Sequence, residues 1–183
     1  MENIKTLQNQ KIIKSIIVIF LGSILLTISA KFKIPFYPVP MTMQTFVVLF
    51  FGIAFGYKIG TAIVVLYLLE GILGLPVFSN SPERGIGLSY FTGPTMGYLI
   101  GFIFATFLSG YFNLEKNIFI IFIKLILSVS VIYCLGLIWL GTLIGWDKPI
   151  FELGALPFLP AELFKILILS ILAKKIIKFR SFI

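Results

Sequence analysis

Apolar residues run along this chain in six blocks, and polar residues collect between them. The blocks cover residues 12–30, 42–56, 59–73, 95–112, 118–144 and 161–178, and each predicts a helix. A helix crosses a bilayer in roughly 17–25 apolar residues. The second block is short from Thr45 onward, and Met41-Thr42-Met43-Gln44 extends it toward a full crossing. Its predecessor ends at Lys31-Phe32-Lys33-Ile34-Pro35. Pro35, Pro38 and Pro40 then force an extended segment, because proline disfavours helix at the residue before it. Tyr57-Lys58 predicts a tight turn, 113–117 a polar turn and 146–160 a loop, while residues 1–10 are polar and expected to fray.

One stretch fits neither class. Residues 75–101 read LPVFSNSPERGIGLSYFTGPTMGYLIG, too rich in Gly, Pro and Ser for a membrane helix and too aromatic for a solvated loop. Irregular backbone at membrane depth is tolerated where it is buried in protein or lines a cavity. The part over 75–94 is therefore expected to cover a small-molecule site at one membrane face. A plain connector is the bland alternative, but it has no need of Phe78, Tyr90, Phe91 and Tyr98.

Composition makes the membrane reading firm. Hydrophobic residues are 59% of the chain and mean hydropathy is +1.09, against roughly 45–50% apolar in soluble domains. The result is a single all-α integral membrane domain, 1–183. A net charge of +8 raises nucleic acid as a partner. The cations cluster at the ends of apolar blocks instead, with no basic face interleaved with aromatics, so nucleic-acid binding is rejected. Six crossings put both termini on one side. The loops and tails on that side hold Lys5, Lys11, Lys14, Lys58, Lys116, Lys174, Lys175, Lys178 and Arg180, and the other side holds Lys31, Lys33, Arg84 and Lys148. Nine against four places the termini in the cytoplasm. The covering segment, the proline segment and the start of the sixth helix then converge outside.

The chain has no histidine and no phosphate-binding Gly-x-x-x-x-Gly-Lys-Ser/Thr loop, so it offers neither His-based catalysis nor ATP hydrolysis by that machinery. No enzyme, metal site or cofactor is expected. Cys134 lies in an apolar block and reads as packing. Ionisable residues inside apolar blocks carry the information, since each is costly in lipid. Glu162 and Lys165 stand three apart, on one face of the sixth helix near its outer end. They are candidate ligand contacts; an internal ion pair, or a snorkelling Lys165, is the alternative. Glu70 is either a functional charge or one that caps its helix or neutralises a nearby lysine, and Lys124 snorkels. Gln44 faces a cavity or water. Asn80 and Arg84 sit in the covering segment. Arg84 either forks onto an anionic ligand group or pairs with Glu83.

Four segments carry a resemblance: IPFYPVPMTMQTFVVLFFG, VLYLLEGILGLPVF, GPTMGYLIGF and LPFLPAELFK. Together, in order and spacing from end to end, they resemble the BioY family, the membrane-embedded substrate-binding S components of biotin transporters of the energy-coupling-factor (ECF) class. The resemblance implies a six-helix bundle of the S-component type, a biotin site near the outer face, and an energising module of two ATPase subunits and a coupling subunit. It implies a bacterial inner-membrane location. This chain departs from the family where Ala161-Glu162 replaces the usual Gly-Asp and where Met96 replaces a glycine of GPTGGY. The family's first helix carries small residues at four-residue spacing for docking on the coupling subunit. Here Gly22 and Ala30 fit and Leu26 interrupts.

With biotin as ligand, Lys165 donates to the ureido ring and Glu162 accepts from it. Tyr67, Phe78 and Tyr98 cover the apolar part, with Gln44 and the Gly93 turn beside it, and Asn80 and Arg84 are candidates for the carboxylate. Two other readings stay open. One is an S component for another vitamin on the same scaffold. The other is a membrane scaffold subunit without a ligand, in which 75–94 would be a tolerant spacer.

Overall fold

The computed structural model describes residues 2–114 and 117–182, with the side chains of residues 2–8 left aside. Helix α1 spans Glu2–Lys31 and starts ten residues before the apolar block, since nothing between Glu2 and Lys31 breaks a helix. The proline segment forms a small hairpin, β1 (Lys33–Ile34) antiparallel to β2 (Met41–Thr42).

Helix α2 is recorded as Gln44–Ile72, but Gly56 inside it has φ 74° and ψ 175°. Only glycine adopts that conformation without strain. A continuous helix would hold Gln44 and Tyr67 about 34 Å apart at 1.5 Å per residue. Instead the Gln44 Nε2 donates to the Tyr67 hydroxyl at 2.8 Å. Residues 44–55 and 57–72 are therefore two antiparallel helices with a reversal one residue wide, and the turn expected at Tyr57-Lys58 sits one residue earlier.

The remaining helices are α3 (Met96–Tyr111), α4 (Ile118–Ile144), a short α5 (Ile150–Gly154) and α6 (Leu159–Ile176). Asn117 caps α4 by accepting from the Phe119 amide at 3.0 Å. Glu115 and Lys116, in the turn expected between α3 and α4, lie outside the described residues. Pro160 stands in the first turn of α6, where a missing N–H costs nothing, so the helix starts before the expected Ala161. The loop expected at 146–160 contains α5 and a 3-10 turn, Leu156–Phe158. A further 3-10 segment, Ile177–Phe182, closes the chain. With the α2 reversal counted, six long helical segments stand among the described residues, the number expected.

The bundle wears its hydrophobic residues outside. Ile12, Ile16 and Phe20 on α1, Ile123 and Leu127 on α4, and Phe164 and Ile171 on α6 are all exposed. Such a band suits hydrocarbon rather than water. Inside, one core joins α2 and α3 with Phe78, Tyr90 and Phe158, and a second joins residues 44–55 with α4 and α6. The halves of α2 and helix α3 approach closely. A Cβ at Gly52 would strike the Ser109 Oγ, and one at Gly110 the Tyr57 amide nitrogen. Small residues permit this backbone contact.

At the end of the bundle where the chain closes, the Arg180 guanidinium donates to Ile53 O (3.0 Å), Gly52 O (3.3 Å) and Gly110 O (3.0 Å). Two of these are carbonyls left without helical partners by the break at Gly56. The Lys14 ammonium lies 5.1 Å from the Phe182 ring centroid, so the early part of α1 and the chain's end share one end of the bundle.

Candidate ligand-binding site

At the opposite end, where α2, α3 and α6 begin, the bundle holds a cavity of about 50 Å³ within about 550 Å³ of space free of protein atoms, part of it open to solvent. Its walls come from Val39–Thr42 of the hairpin, from Gln44 and Thr45 at the start of α2, and from Thr95, Tyr98, Leu99 and Phe102 of α3. Ile132 and Tyr133 of α4, Phe158 and Glu162 complete them, and Ser79 and Tyr90 close it from the covering segment.

Glu162 and Lys165 meet beside this cavity as an ion pair of 2.8 Å, both nearly fully buried. The Lys165 ammonium has three donors, and all are engaged: with Thr42 O at 2.7 Å, Thr45 Oγ1 at 3.1 Å and Glu162 Oε1 at 2.8 Å. Glu162 Oε1 also accepts from the Thr45 hydroxyl at 2.8 Å. Its other oxygen, Oε2, is buried and has no hydrogen bond of good geometry among the described residues, although the Tyr133 hydroxyl of α4 stands against the same carboxylate. A buried carboxylate oxygen without a donor is costly.

The covering segment is held shut by cations. The Lys31 ammonium, at the end of α1, donates to Pro76 O (2.9 Å), Phe78 O (2.8 Å) and Ser81 O (3.0 Å). Lys33 donates to Ser79 O (2.8 Å) and Asn80 Oδ1 (2.9 Å). From the segment itself Arg84 reaches back to Pro38 O at 2.9 Å and lies against the Tyr37 ring. Under this stitching the Phe78 ring stacks on Tyr90 (4.6 Å between centroids) and meets Tyr67 and Phe91 edge-on. Trp139 on α4 donates to Gly93 O at 2.8 Å and anchors the segment's far end.

Of the residues expected at the site, Gln44, Tyr98 and Glu162 line the cavity. Tyr98 is oriented by its hydroxyl, which donates to Gly154 O at 2.8 Å. Tyr67 and Phe78 stand one layer back: Tyr67 holds Gln44 and donates to Val77 O, and Phe78 supports Tyr90. Lys165 is beside Glu162 but not on the cavity wall. Asn80 is tied to Lys33, Gly93 to Trp139, and exposed Arg84 to the hairpin rather than to Glu83. Gly22 and Ala30, expected to offer a docking surface, are buried; a Cβ at Gly22 would meet Ile63 at 2.8 Å. Small residues on α1 thus serve its approach to α2, and the exposed face of α1 is made of larger side chains. Glu70, left open between a functional charge and a cap or counter-ion, accepts from Ser23 of α1 at 2.9 Å and ties the same two helices.

Sequence reasoning missed Thr42, Thr45, Ser79, Tyr90, Thr95 and Tyr133 as wall residues. Searching for charges passed over hydroxyls. The spacing of Thr42 and Thr45 around Gln44 is the signal that was there to find.

Three comparisons place the chain among known proteins. The sequence model of the BioY family matches residues 2–182. The probable biotin transporter BioY of Pyrococcus horikoshii is 32% identical over 162 residues, 88% of this chain and 94% of that protein. The biotin transporter BioY of Thermotoga maritima is 34% identical over 155 residues, 84% and 90% of the two chains. A crystal structure of the S-component for biotin from an ECF-type ABC transporter superposes with a TM-score of 0.78 at 26% identity, covering 93% of this chain and 94% of that one. With its six helical segments, its covered cavity at one end of the bundle and a family match along nearly its whole length, this chain belongs to the BioY family.

Proposed function

We propose that this chain is the membrane-embedded substrate-binding subunit of an ECF-type transporter, capturing biotin at the outer face for uptake into the cytoplasm. The observation that carries the reading is the Glu162 Oε2, free of a well-formed hydrogen bond among the described residues, beside a cavity with both polar and apolar walls. Biotin brings two ureido N–H donors, an apolar bicycle and chain, and a carboxylate. An N–H placed on Glu162 Oε2 relieves the buried acceptor, and Tyr98, Phe102, Ile132 and Phe158 cover the apolar part. The relatives' names point to the same ligand. Membership in a family of transporter subunits speaks for a carrier rather than an enzyme.

The energy comes from elsewhere, since the chain has no phosphate-binding loop. A coupling subunit and two ATPase subunits supply it, with this chain embedded in lipid of the bacterial inner membrane. Both termini face the cytoplasm in this reading. The basic bias and the contact of Lys14 with Phe182 support that orientation.

Isothermal titration of purified protein with a panel of vitamins tests the ligand, and saturable binding of biotin in preference to the others is expected. Lys165→Ala takes away the cation that holds Glu162 in place, and with it the carboxylate's hydrogen bond to the ligand, a charge-assisted contact of about 1.5–3 kcal/mol. That corresponds to roughly a tenfold to hundredfold loss of affinity. Full biotin affinity in the double variant Glu162→Gln, Lys165→Met would overturn the site assignment. Preference for another vitamin would overturn the ligand.

A further inference from the structure

The Glu162 carboxylate is useful to a ligand only if one oxygen is tied and the other is aimed at the cavity. Helix α6 alone does not secure this, because a Glu side chain has three rotatable bonds and its last one is broad. Lys165, one turn along the same helix, pairs with Oε1, but an ammonium is a point charge with no directional fork. The directional contact comes from α2: the Thr45 hydroxyl donates to Glu162 Oε1 at 2.8 Å.

That hydroxyl also accepts from Lys165 Nζ at 3.1 Å, so its single proton has one remaining destination, Oε1. Thr42 O takes another Lys165 donor at 2.7 Å. The three-membered ring of Thr45, Lys165 and Glu162 is therefore closed, with every donor assigned. Thr45 is β-branched and sits in the first turn of α2, which restricts its side-chain rotation. What the ring leaves over is Glu162 Oε2, buried and without a hydrogen bond of good geometry among the described residues, with the Tyr133 hydroxyl beside the carboxylate.

We infer that Thr45 is a positioning residue for ligand selection: its hydroxyl locks Glu162 so that Oε2 points into the cavity as an acceptor for an N–H of the ligand. This rests on the biotin reading above and deepens it. Selectivity for a ligand with a free ureido N–H then depends on a residue whose own hydrogen bonds are all within the protein.

The test compares biotin with biotin methylated on a ureido nitrogen, titrated into the full chain in lipid nanodiscs. Wild type should bind biotin and discriminate against the methylated form. Thr45→Val, which keeps the shape and removes the hydroxyl, should weaken biotin by roughly tenfold or more, the scale of a hydrogen bond to a charged group. It should weaken the methylated form much less, so that discrimination shrinks. Thr45→Ser should restore both affinity and discrimination. Loss of the two ligands by one common factor in Thr45→Val would mean a structural role only and would overturn the inference, as would unchanged binding or a Ser variant no better than Val. If Thr45→Val does not fold, discrimination by Thr45→Ser decides: a Ser variant that folds but no longer discriminates overturns it. Absence of biotin binding by wild type is a separate result, which removes the ligand assignment itself.

Discussion

Among the described residues, the cations around the cavity end of the bundle have partners inside the protein, and the partner decides what the loss of each would do. Arg84 is the clearest case. Its guanidinium is on the surface, bonded to Pro38 O and lying against Tyr37, outside the cavity wall. Arg84→Ala should therefore change biotin affinity by less than about threefold, since exposed pairs contribute roughly 0.2–1 kcal/mol. A loss of tenfold or more in titration calorimetry would show that it reaches the ligand after all. Glu162 and Lys165 were legible in the sequence because two opposite charges three apart in an apolar helix are conspicuous. Thr45 and Tyr133 were not, because hydroxyls are common in membrane helices and nothing in a linear pattern says which way they face.

Among the elements, the reversal inside α2 depends on both ends of the chain's middle and on its last residues. Gly56 provides the backbone angle, and Arg180 gathers three carbonyls at that end. Arg180→Ala should leave these acceptors to compete for solvent and lower stability by about 1–3 kcal/mol. Arg180→Lys should fall between, as an ammonium lacks the planar fork. Thermal unfolding of the purified variants reads both, and a melting temperature unchanged in Arg180→Ala would contradict the clamp. Helix count and approximate bounds followed from apolar block length. The hairpin, α5 and the 3-10 turns did not, because they arise from local contacts with no sustained period. Burial of Gly22 and Ala30 was equally illegible: small residues mark close approach, but not whether the approaching helix belongs to the same chain.

At the scale of the whole molecule, the covering segment is hung from the end of α1 by Lys31 and by Lys33 just beyond it. Helix α1 lies at the margin of the bundle with its apolar side exposed along Ile12, Ile16 and Phe20, so it is the element a bilayer grips most directly. A helix whose hydrophobic length does not match the hydrocarbon thickness tilts or shifts, at a fraction of a kcal/mol for each Å of mismatch. Here such a shift pulls on three carbonyls of the cover. The expected outcome is that membrane thickness affects how tightly the cavity is closed. Biotin dissociation measured in nanodiscs of short, medium and long acyl chains should vary with thickness in wild type. Lys31→Met should flatten that dependence, because it cuts the tether between the helix that senses the bilayer and the lid that feels the tension.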